Sequence, residues 1–178
     1  DWSSDVCSSD LWTNQLQFQG ATTGSYISKV TISADGTTAA WPDYSSASTS
    51  GWNLLRIYTR SGSTWTQQAA INMDTIITPQ PFVATQYVAN TYISDCSLSA
   101  NGNVLAVGIS TDITLPTSNI YKTPAGCVLV FTRSGSTWTN TQTLYANDIP
   151  VFAESNTLLS AGVGKSVVIS ADRTKIIS

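Results

Sequence analysis

Few side chains in this sequence are suited to acid–base or nucleophilic chemistry. Three of the 11 acidic residues fall within the first eleven positions, and the others are dispersed: Asp35, Asp43, Asp74, Asp95, Asp112, Asp148, Glu154 and Asp172. Glycoside hydrolysis needs two carboxylates across a cleft, and loops could bring only Asp43 and Asp112 near each other. The chain has no histidine, which excludes Ser-His-Asp and Cys-His catalysis within it. We therefore predict no catalytic residues in this chain.

The stretch Gly162-Val163-Gly164-Lys165-Ser166 is similar to the end of a phosphate-binding loop. Such a loop requires a further glycine at position 159 and a helix after the lysine and serine. Position 159 is leucine, and Ser166 begins a run typical of a strand. We interpret the stretch as a turn that leads into a strand.

Two sets of internal repeats define the elements that must position these residues. The octapeptide TRSGSTWT occurs at 59–66 and again at 132–139. A second motif occurs three times, as TISADG at 31–36, SLSANG at 97–102 and VISADR at 168–173. Self-similarity at such spacings indicates a fold built from repeated units.

Each unit reads as four antiparallel strands, A to D. The pairs Asp35-Gly36 and Asn101-Gly102 favour two-residue type I′ hairpins between strands A and B. Strand C, at 53–60 and 127–133, is apolar almost without alternation, as in a strand that is buried on both faces. Ser-Gly-Ser then leads into strand D. Four-stranded units with buried faces predict an all-β fold of the β-propeller type.

The predicted organisation is a fragment of such a propeller. It comprises strand D of a preceding blade at 12–18, a blade at 26–74, a blade at 91–148 and half a blade at 163–178. About two whole blades and two partial ones cannot close a ring. We therefore expect the natural protein to be longer at both ends.

The pattern VxISADGxxLAVG followed by VxVFTRSGSTWT resembles the FG-GAP repeat, the blade of integrin-α-type β-propellers, in its bacterial or environmental variety. It is carried by 32–36, 104–108, 128–133 and the two STWT turns, and it covers nearly all of 12–178. The resemblance implies a ring of about seven blades on a secreted or cell-surface protein that works in recognition. The Phe-Gly pair is reduced to Val163-Gly164, and Gly-Ala-Pro to Gly108-Ile109 or Trp41-Pro42.

Integrin-type blades often hold calcium in a DxDxDG loop of the A–B hairpin. Here that hairpin supplies a single Asp35, Asn101 or Asp172. Calcium takes six to eight oxygen ligands, several of them carboxylates. We therefore expect no calcium in these hairpins and no other cofactor.

Residues retained in each copy are interpreted as parts of the scaffold. Arg60 and Arg133 end strand C and are expected to donate hydrogen bonds to loop carbonyls, while Trp65 and Trp138 are expected to pack between blades. An anion-binding role for the arginines is the alternative.

Cys96 and Cys127 are predicted to be free, buried thiols. Cys96 aligns with Val30 and Val167 in strand A, and Cys127 aligns with Leu54 in strand C. Strand B lies between them, so two steps of ~4.8 Å separate them by about 9–10 Å. A disulfide does not tolerate that separation.

Sequence variation between the copies is concentrated on one side of the predicted ring. The A–B and C–D turns are short and nearly invariant, whereas the B–C segments (42–52 and 110–126) and the D–A segments (75–90 and 149–162) are long and different. Function is commonly displayed on such loops. The candidate ligand-binding residues there are Tyr44, Trp52, Asp112 and Tyr121. Alternatively, these segments are tolerated insertions whose aromatic residues, Tyr87 and Phe152 included, pack locally.

We predict a non-enzymatic recognition or adhesion module of a secreted or cell-surface protein, with a protein or a glycan as its ligand. One alternative is part of a propeller-fold hydrolase or lyase whose catalytic residues lie in missing blades, and another is a structural repeat spacer. The chain lacks a basic cluster, so nucleic acid is not an expected partner. It also lacks the ~18 consecutive apolar residues of a membrane-spanning segment.

Residues 1–11, DWSSDVCSSDL, match no repeat. Every one of them agrees with the translation of a common short-read sequencing adapter, and we expect the segment to be non-native and outside the fold. Without it, eight acidic residues face eight basic ones, so the formal net charge changes from −3 to zero.

Overall fold

The computed structural model describes residues 26–27, 29–44, 54–76, 89–113, 126–145 and 163–178. These residues are all-β, as predicted, with eleven strands, one 3-10 turn and no α-helix among them. Residues 1–11 and the lone strand predicted at 12–18 lie outside the described residues, so both remain predictions.

The strands form two four-layered antiparallel sheets and one hairpin, consistent with propeller blades. Blade 1 has the order β1 (Tyr26–Ile27) with β2 (Thr31–Ile32), β3 (Thr38–Tyr44), β4 (Leu54–Ser61) and β5 (Thr64–Asn72). Blade 2 has the order β6 (Ala89–Leu98), β7 (Val104–Ile113), β8 (Cys127–Ser134) and β9 (Thr137–Tyr145). The half-blade pairs β10 (Val168–Ile169) with β11 (Ile176–Ile177). A 3-10 turn at Met73–Thr75 follows β5 and buries Met73.

Two strands extend further than the sequence predicted. Tyr44 is the last residue of β3 and Asp112 lies within β7, although both were expected in B–C loops. β7 continues because β6 begins at Ala89 and pairs with it, Asn90 opposite Asp112. Pro42 is tolerated inside β3 because it lies opposite the break between β1 and β2, where a strand does not need its missing N–H.

The predicted type I′ hairpins are wrong. Ser33 N donates to Thr38 O, and Gly36 N donates to Ser33 O, both at 2.9 Å, which makes a four-residue loop. In that loop only Gly36 has a positive φ, of +67°, whereas a type I′ turn needs two such residues. The loop is instead built on a type I turn that ends in a left-handed glycine.

The A–B turns are held by the same hydrogen bonds in every copy. In blade 1 the Ser33 hydroxyl donates to Asp35 Oδ1 at 2.5 Å and accepts from Thr38 N at 3.0 Å. Ser99 with Asn101, and Ser170 with Asp172, repeat this arrangement. Because the side chains bond the loop backbone directly, the Ser-Ala-Asp/Asn motif encodes the turn itself.

Each blade has a leading face, turned toward the blade before it in sequence, and a trailing face, turned toward the next. The trailing face of blade 1 packs on the leading face of blade 2, with Ala40, Leu55, Ile57, Cys96, Leu98, Leu105, Val107, Ile109, Cys127, Leu129 and Phe131 in their shared core. The trailing face of blade 2 packs on the leading face of the half-blade through Ala106, Val128, Val167 and Ile169. Residues 127–131 of β8 are all buried, as the continuous apolar run predicted.

Blade 2 and the half-blade approach closely through glycine. A Cβ at Gly108 would lie 2.0 Å from Gly164 O, and one at Gly164 would lie 2.5 Å from Cys127 O. These two glycines belong to the reduced Gly-Ala-Pro and Phe-Gly pairs of the repeat. Their lack of a side chain permits the backbone contact that seats the half-blade.

Candidate functional site

The structure describes only part of the predicted ligand-binding set. The backbones of Tyr44 and Asp112 lie at the ends of β3 and β7, while their side chains lie outside the description. Trp52 and Tyr121 belong to segments that are not described. Whether these four side chains come together remains a prediction.

The strands that lead to those segments run in the same direction. The A–B turns of the two blades are neighbours, since Asp35 N donates to Ala100 O at 3.4 Å. β3 and β7 both start at these turns and both end at the opposite side, at Tyr44 and Ile113. Segments 45–53 and 114–125 therefore begin on the side of the sheets opposite the A–B turns.

The A–B turns themselves have little free capacity for a ligand. Asp35 Oδ1 accepts from Ser33 Oγ, Thr37 N and Thr37 Oγ1. These hydrogen bonds, that of Ser33 first, hold the pKa of the Asp35 carboxyl below its usual value. Among the described residues there is no group of three or more acidic, cysteine or histidine side chains placed to hold a metal ion.

A polar cluster that the sequence analysis missed lies on the leading face of blade 1. Arg56 Nε donates to Asp43 Oδ2 at 2.5 Å, and Arg56 Nη1 donates to Gln67 Oε1 at 2.9 Å. Gln67 Oε1 also accepts from Tyr58 OH at 3.1 Å. Tyr58 stacks on the buried Trp41, with ring centroids 4.7 Å apart. We call Trp41, Asp43, Arg56, Tyr58 and Gln67 the blade 1 polar cluster.

The Asp43 carboxylate is the most unusual group of this cluster. Asp43 is 4% exposed, and its Oδ1 atom is buried with no hydrogen-bond partner. Buried polar atoms nearly always have a partner, and an unmade bond costs about 1–3 kcal/mol. Asp43 does not form the catalytic pair considered for it with Asp112, because its Oδ2 is already paired with Arg56.

The same positions in blade 2 are apolar. From the registers of the two sheets, Trp41, Asp43, Arg56 and Tyr58 correspond to Val107, Ile109, Leu129 and Phe131. All four residues of blade 2 are buried against blade 1. The signal was present in the sequence, because aligning the copies puts an Asp and an Arg where apolar residues are expected. Comparing the copies position by position, rather than by motif, would have found the pair.

A second buried carboxylate, Asp95, links three successive blades. Asp95 Oδ2 accepts from Lys29 Nζ of blade 1 at 2.8 Å, and from Ser166 Oγ and Val167 N of the half-blade at 3.0 and 2.8 Å. Its other oxygen accepts from Cys96 N at 2.6 Å. All its lone pairs on view point to the scaffold, so Asp95 holds the stack together.

The pKa of Asp95 reflects two opposed effects. Burial raises the pKa of its carboxyl, but hydrogen bonds from Lys29, Val167 N, Cys96 N and Ser166 outweigh burial and hold the pKa below its usual value. Asp95 is therefore charged at neutral pH and is not placed to act as an acid.

Most of the residues assigned to the scaffold are confirmed in that role. Arg133 Nε donates to Gly135 O at 2.9 Å, as predicted. Trp138 packs against the core between the blades, and its Nε1 donates to Gln68 Oε1 of blade 1 at 2.9 Å. Arg60 differs, because its guanidinium lies over the ring of Trp65, 5.8 Å from the centroid.

The two cysteines are free and buried, as predicted. Burial raises the pKa of Cys96 to about 12 and that of Cys127 to about 11. Thiols at such pKa values are unreactive at neutral pH. Val163–Ser166 forms the turn that precedes β10, and the Ser94 hydroxyl donates to Gly164 O within it. The interpretation of this stretch as a turn rather than a phosphate-binding loop is confirmed.

Comparisons with known proteins give little beyond the fold. No family model matches the sequence, and no curated protein matches it. Seven solved chains match, one of them the crystal structure of a Lactobacillus plantarum protein determined by a structural genomics consortium. That protein is 15% identical, the TM-score is 0.38, and the match covers 66% of this chain and 27% of the other. This chain thus spans about a quarter of that protein's length. The described residues contain no helix that is long and apolar enough to cross a membrane.

Proposed function

We propose that this chain is part of a non-enzymatic recognition or adhesion module of a secreted or cell-surface protein of the FG-GAP type. It binds a protein or a glycan through the side of the blades from which the B–C and D–A segments leave. The observation that carries the proposal is the division between the two sides of the sheets.

On one side, each A–B turn is closed by hydrogen bonds within its own six residues. On the other side, β3 and β7 end at Tyr44 and Ile113 and lead into segments of different length and composition. A rigid, repeated scaffold that displays dissimilar segments is the usual arrangement of a binding surface. Tyr and Trp are enriched at such surfaces, and Tyr44, Trp52 and Tyr121 are the proposed contacts, with Asp112 as their polar partner.

The ligand class is tested by applying the full chain to glycan and protein arrays, and by measuring the affinity of any positive probe. Tyr44→Ala, Trp52→Ala and Tyr121→Ala should each weaken binding by about 30-fold if the residue is a central contact. Thr66→Ala and Thr139→Ala, at exposed positions of β5 and β9, are the matched controls and should bind as the parent does.

Three other outcomes would reject the proposal. Cleavage of a polysaccharide without stable binding would favour the hydrolase or lyase alternative. Neither binding nor cleavage would favour a structural spacer. Equal loss of affinity in the control variants would place the binding surface elsewhere on the blades.

A further inference from the structure

Large apolar side chains are exposed on the two outer faces of the described stack. Val30 and Ile32, on the leading face of blade 1, are each 56% exposed. Val168 and Ile177, on the trailing face of the half-blade, are 57% and 73% exposed. Val168 and Ile177 lie directly opposite each other in the β10–β11 pair, so they form one continuous apolar patch.

On the leading side, the matching positions of the other blades are buried by a neighbour. Val30 and Ile32 correspond to Cys96 and Leu98 of blade 2, and to Val167 and Ile169 of the half-blade. These four residues are only 2–7% exposed, because each pair packs on the trailing face of the blade before it.

The trailing side shows the same relationship. Ile177 corresponds to Ala40 of blade 1 and Ala106 of blade 2. Both alanines have no exposed surface, since each lies under the leading face of the next blade. The exposed faces are therefore the two complementary halves of an interface that the molecule already makes twice.

A two-stranded unit is sufficient to form this interface. The half-blade consists of β10 and β11 in the described residues, and it packs on blade 2 through Val167 and Ile169. The trailing face of β10–β11 is no smaller than the leading face that it already uses. It reaches the part of blade 1 that β2 and β3 supply, beside the blade 1 polar cluster.

We propose that a second copy of this chain covers these faces. The trailing patch of one copy, Val168 and Ile177, packs on the leading patch of the next, Val30 and Ile32. The contact is head to tail, because both internal interfaces join a leading face to a trailing face and never two like faces. Such a heterologous contact leaves one patch of each kind free at the ends of every assembly.

The test is the concentration dependence of the mass of the full chain, measured by sedimentation in reducing buffer so that no cysteine cross-link contributes. The parent chain associates as its concentration rises. Ile32→Asp and Ile177→Asp each weaken the association at least about tenfold, because each puts a charge into the apolar contact. Thr66→Asp, at an exposed position of β5, is the matched control and associates as the parent does.

Mixing the two variants distinguishes a head-to-tail contact from a symmetric one. Ile32→Asp keeps an intact trailing patch and Ile177→Asp keeps an intact leading patch, so their mixture forms a one-to-one dimer that grows no further. A parent chain that stays monomeric overturns the proposal, as does a mixture that stays monomeric, or an association that only one variant weakens. Should either variant fail to fold, Val30→Lys and Val168→Lys carry the same test on the same two patches.

Discussion

Asp43 and Arg56 form an ion pair, Oδ2 to Nε at 2.5 Å, across two neighbouring strands of blade 1. Their side chains are 5% and 22% exposed, and blade 2 has Ile109 and Leu129 in the same places. Desolvating two charges costs free energy that their attraction only partly recovers, so an apolar pair of similar volume is often equally stable. The pair therefore marks a departure from the repeat that stability alone does not require.

Breaking one side of this pair should cost more than removing both. Arg56→Leu leaves Asp43 buried with neither oxygen paired, and we expect the free energy of unfolding to fall by about 3 kcal/mol. The double variant Asp43→Ile with Arg56→Leu reproduces blade 2 and should lie within about 1 kcal/mol of the parent. Urea denaturation measures both changes, and a double variant as unstable as Arg56→Leu would contradict the expectation.

Asp95 should be among the most sensitive positions of the scaffold. Asp95→Asn turns an amide toward donors of Lys29, Ser166 and Val167, and we expect a loss of about 2–4 kcal/mol in the free energy of unfolding. Lys29→Met is the control, because Lys29 is 49% exposed and a solvent-screened charge contributes under about 1 kcal/mol. Similar losses in the two variants would show that Asp95 acts only through the ion pair.

Acidification should destabilise the protein below about pH 4. The pKa values of Asp35, Asp95 and Asp172 are lowered in the folded state, while unfolded aspartate titrates near 3.9. Near pH 4 the unfolded chain therefore binds more protons, so stability is complete above that range and is lost as the pH falls through the folded pKa values.

Urea midpoints between pH 7 and pH 2.5 measure this dependence. Asp95→Asn should flatten it, although that variant starts from a lower stability. Asp35→Asn copies the Asn101 turn of blade 2, so it should keep the turn and remove the contribution of Asp35. A midpoint that does not fall below pH 4 would contradict the role of these three carboxylates.

The two scaffold cysteines should be protected from alkylation. With Cys7 replaced by serine, Cys96 and Cys127 are the remaining thiols, and their raised pKa values keep them protonated at pH 8. We expect no labelling by iodoacetamide in native buffer and two labels per chain in denaturant, read by mass spectrometry. Native labelling of either thiol would show that the stack opens on the timescale of the reaction.

Gly108 should tolerate alanine far less than Gly62 does. Gly108→Ala puts a Cβ 2.0 Å from Gly164 O, and displacing that backbone should cost about 3 kcal/mol or more. At Gly62 nothing lies within 4 Å and φ is +60°, so alanine there meets only the conformational cost of about 1 kcal/mol. Equal losses in the free energy of unfolding would show that the half-blade shifts freely to accommodate the methyl group.

The repeats made most of the fold readable from the sequence. Aligned motifs placed strands C and D to within about one residue, because Gly62 and Gly135 define the turn between them. The run from Cys127 to Phe131 indicated a strand buried on both faces. Where side chains replaced backbone preference the reading failed: Ser33 and Asp35 close a turn that Asp-Gly alone would have made type I′.

The candidate site was less accessible, for a physical reason. Motif comparison highlights what the copies share, whereas a site specific to one blade lies where they differ. Asp43 and Arg56 are thirteen residues apart and meet only because β3 and β4 pair. Asp95 and Lys29 are 66 residues apart and meet only after two blades stack, so no local pattern could have joined them.

The A–B turns also bear on the order in which the chain folds. In each copy the serine hydroxyl, the Asp or Asn side chain and the backbone groups they bond lie within six consecutive residues. Hairpins of this kind form within about 1–10 μs, and contacts of high sequence separation form much later. Three such hairpins therefore give the chain three independent places to begin folding, and the Asp95 contacts register the blades afterwards.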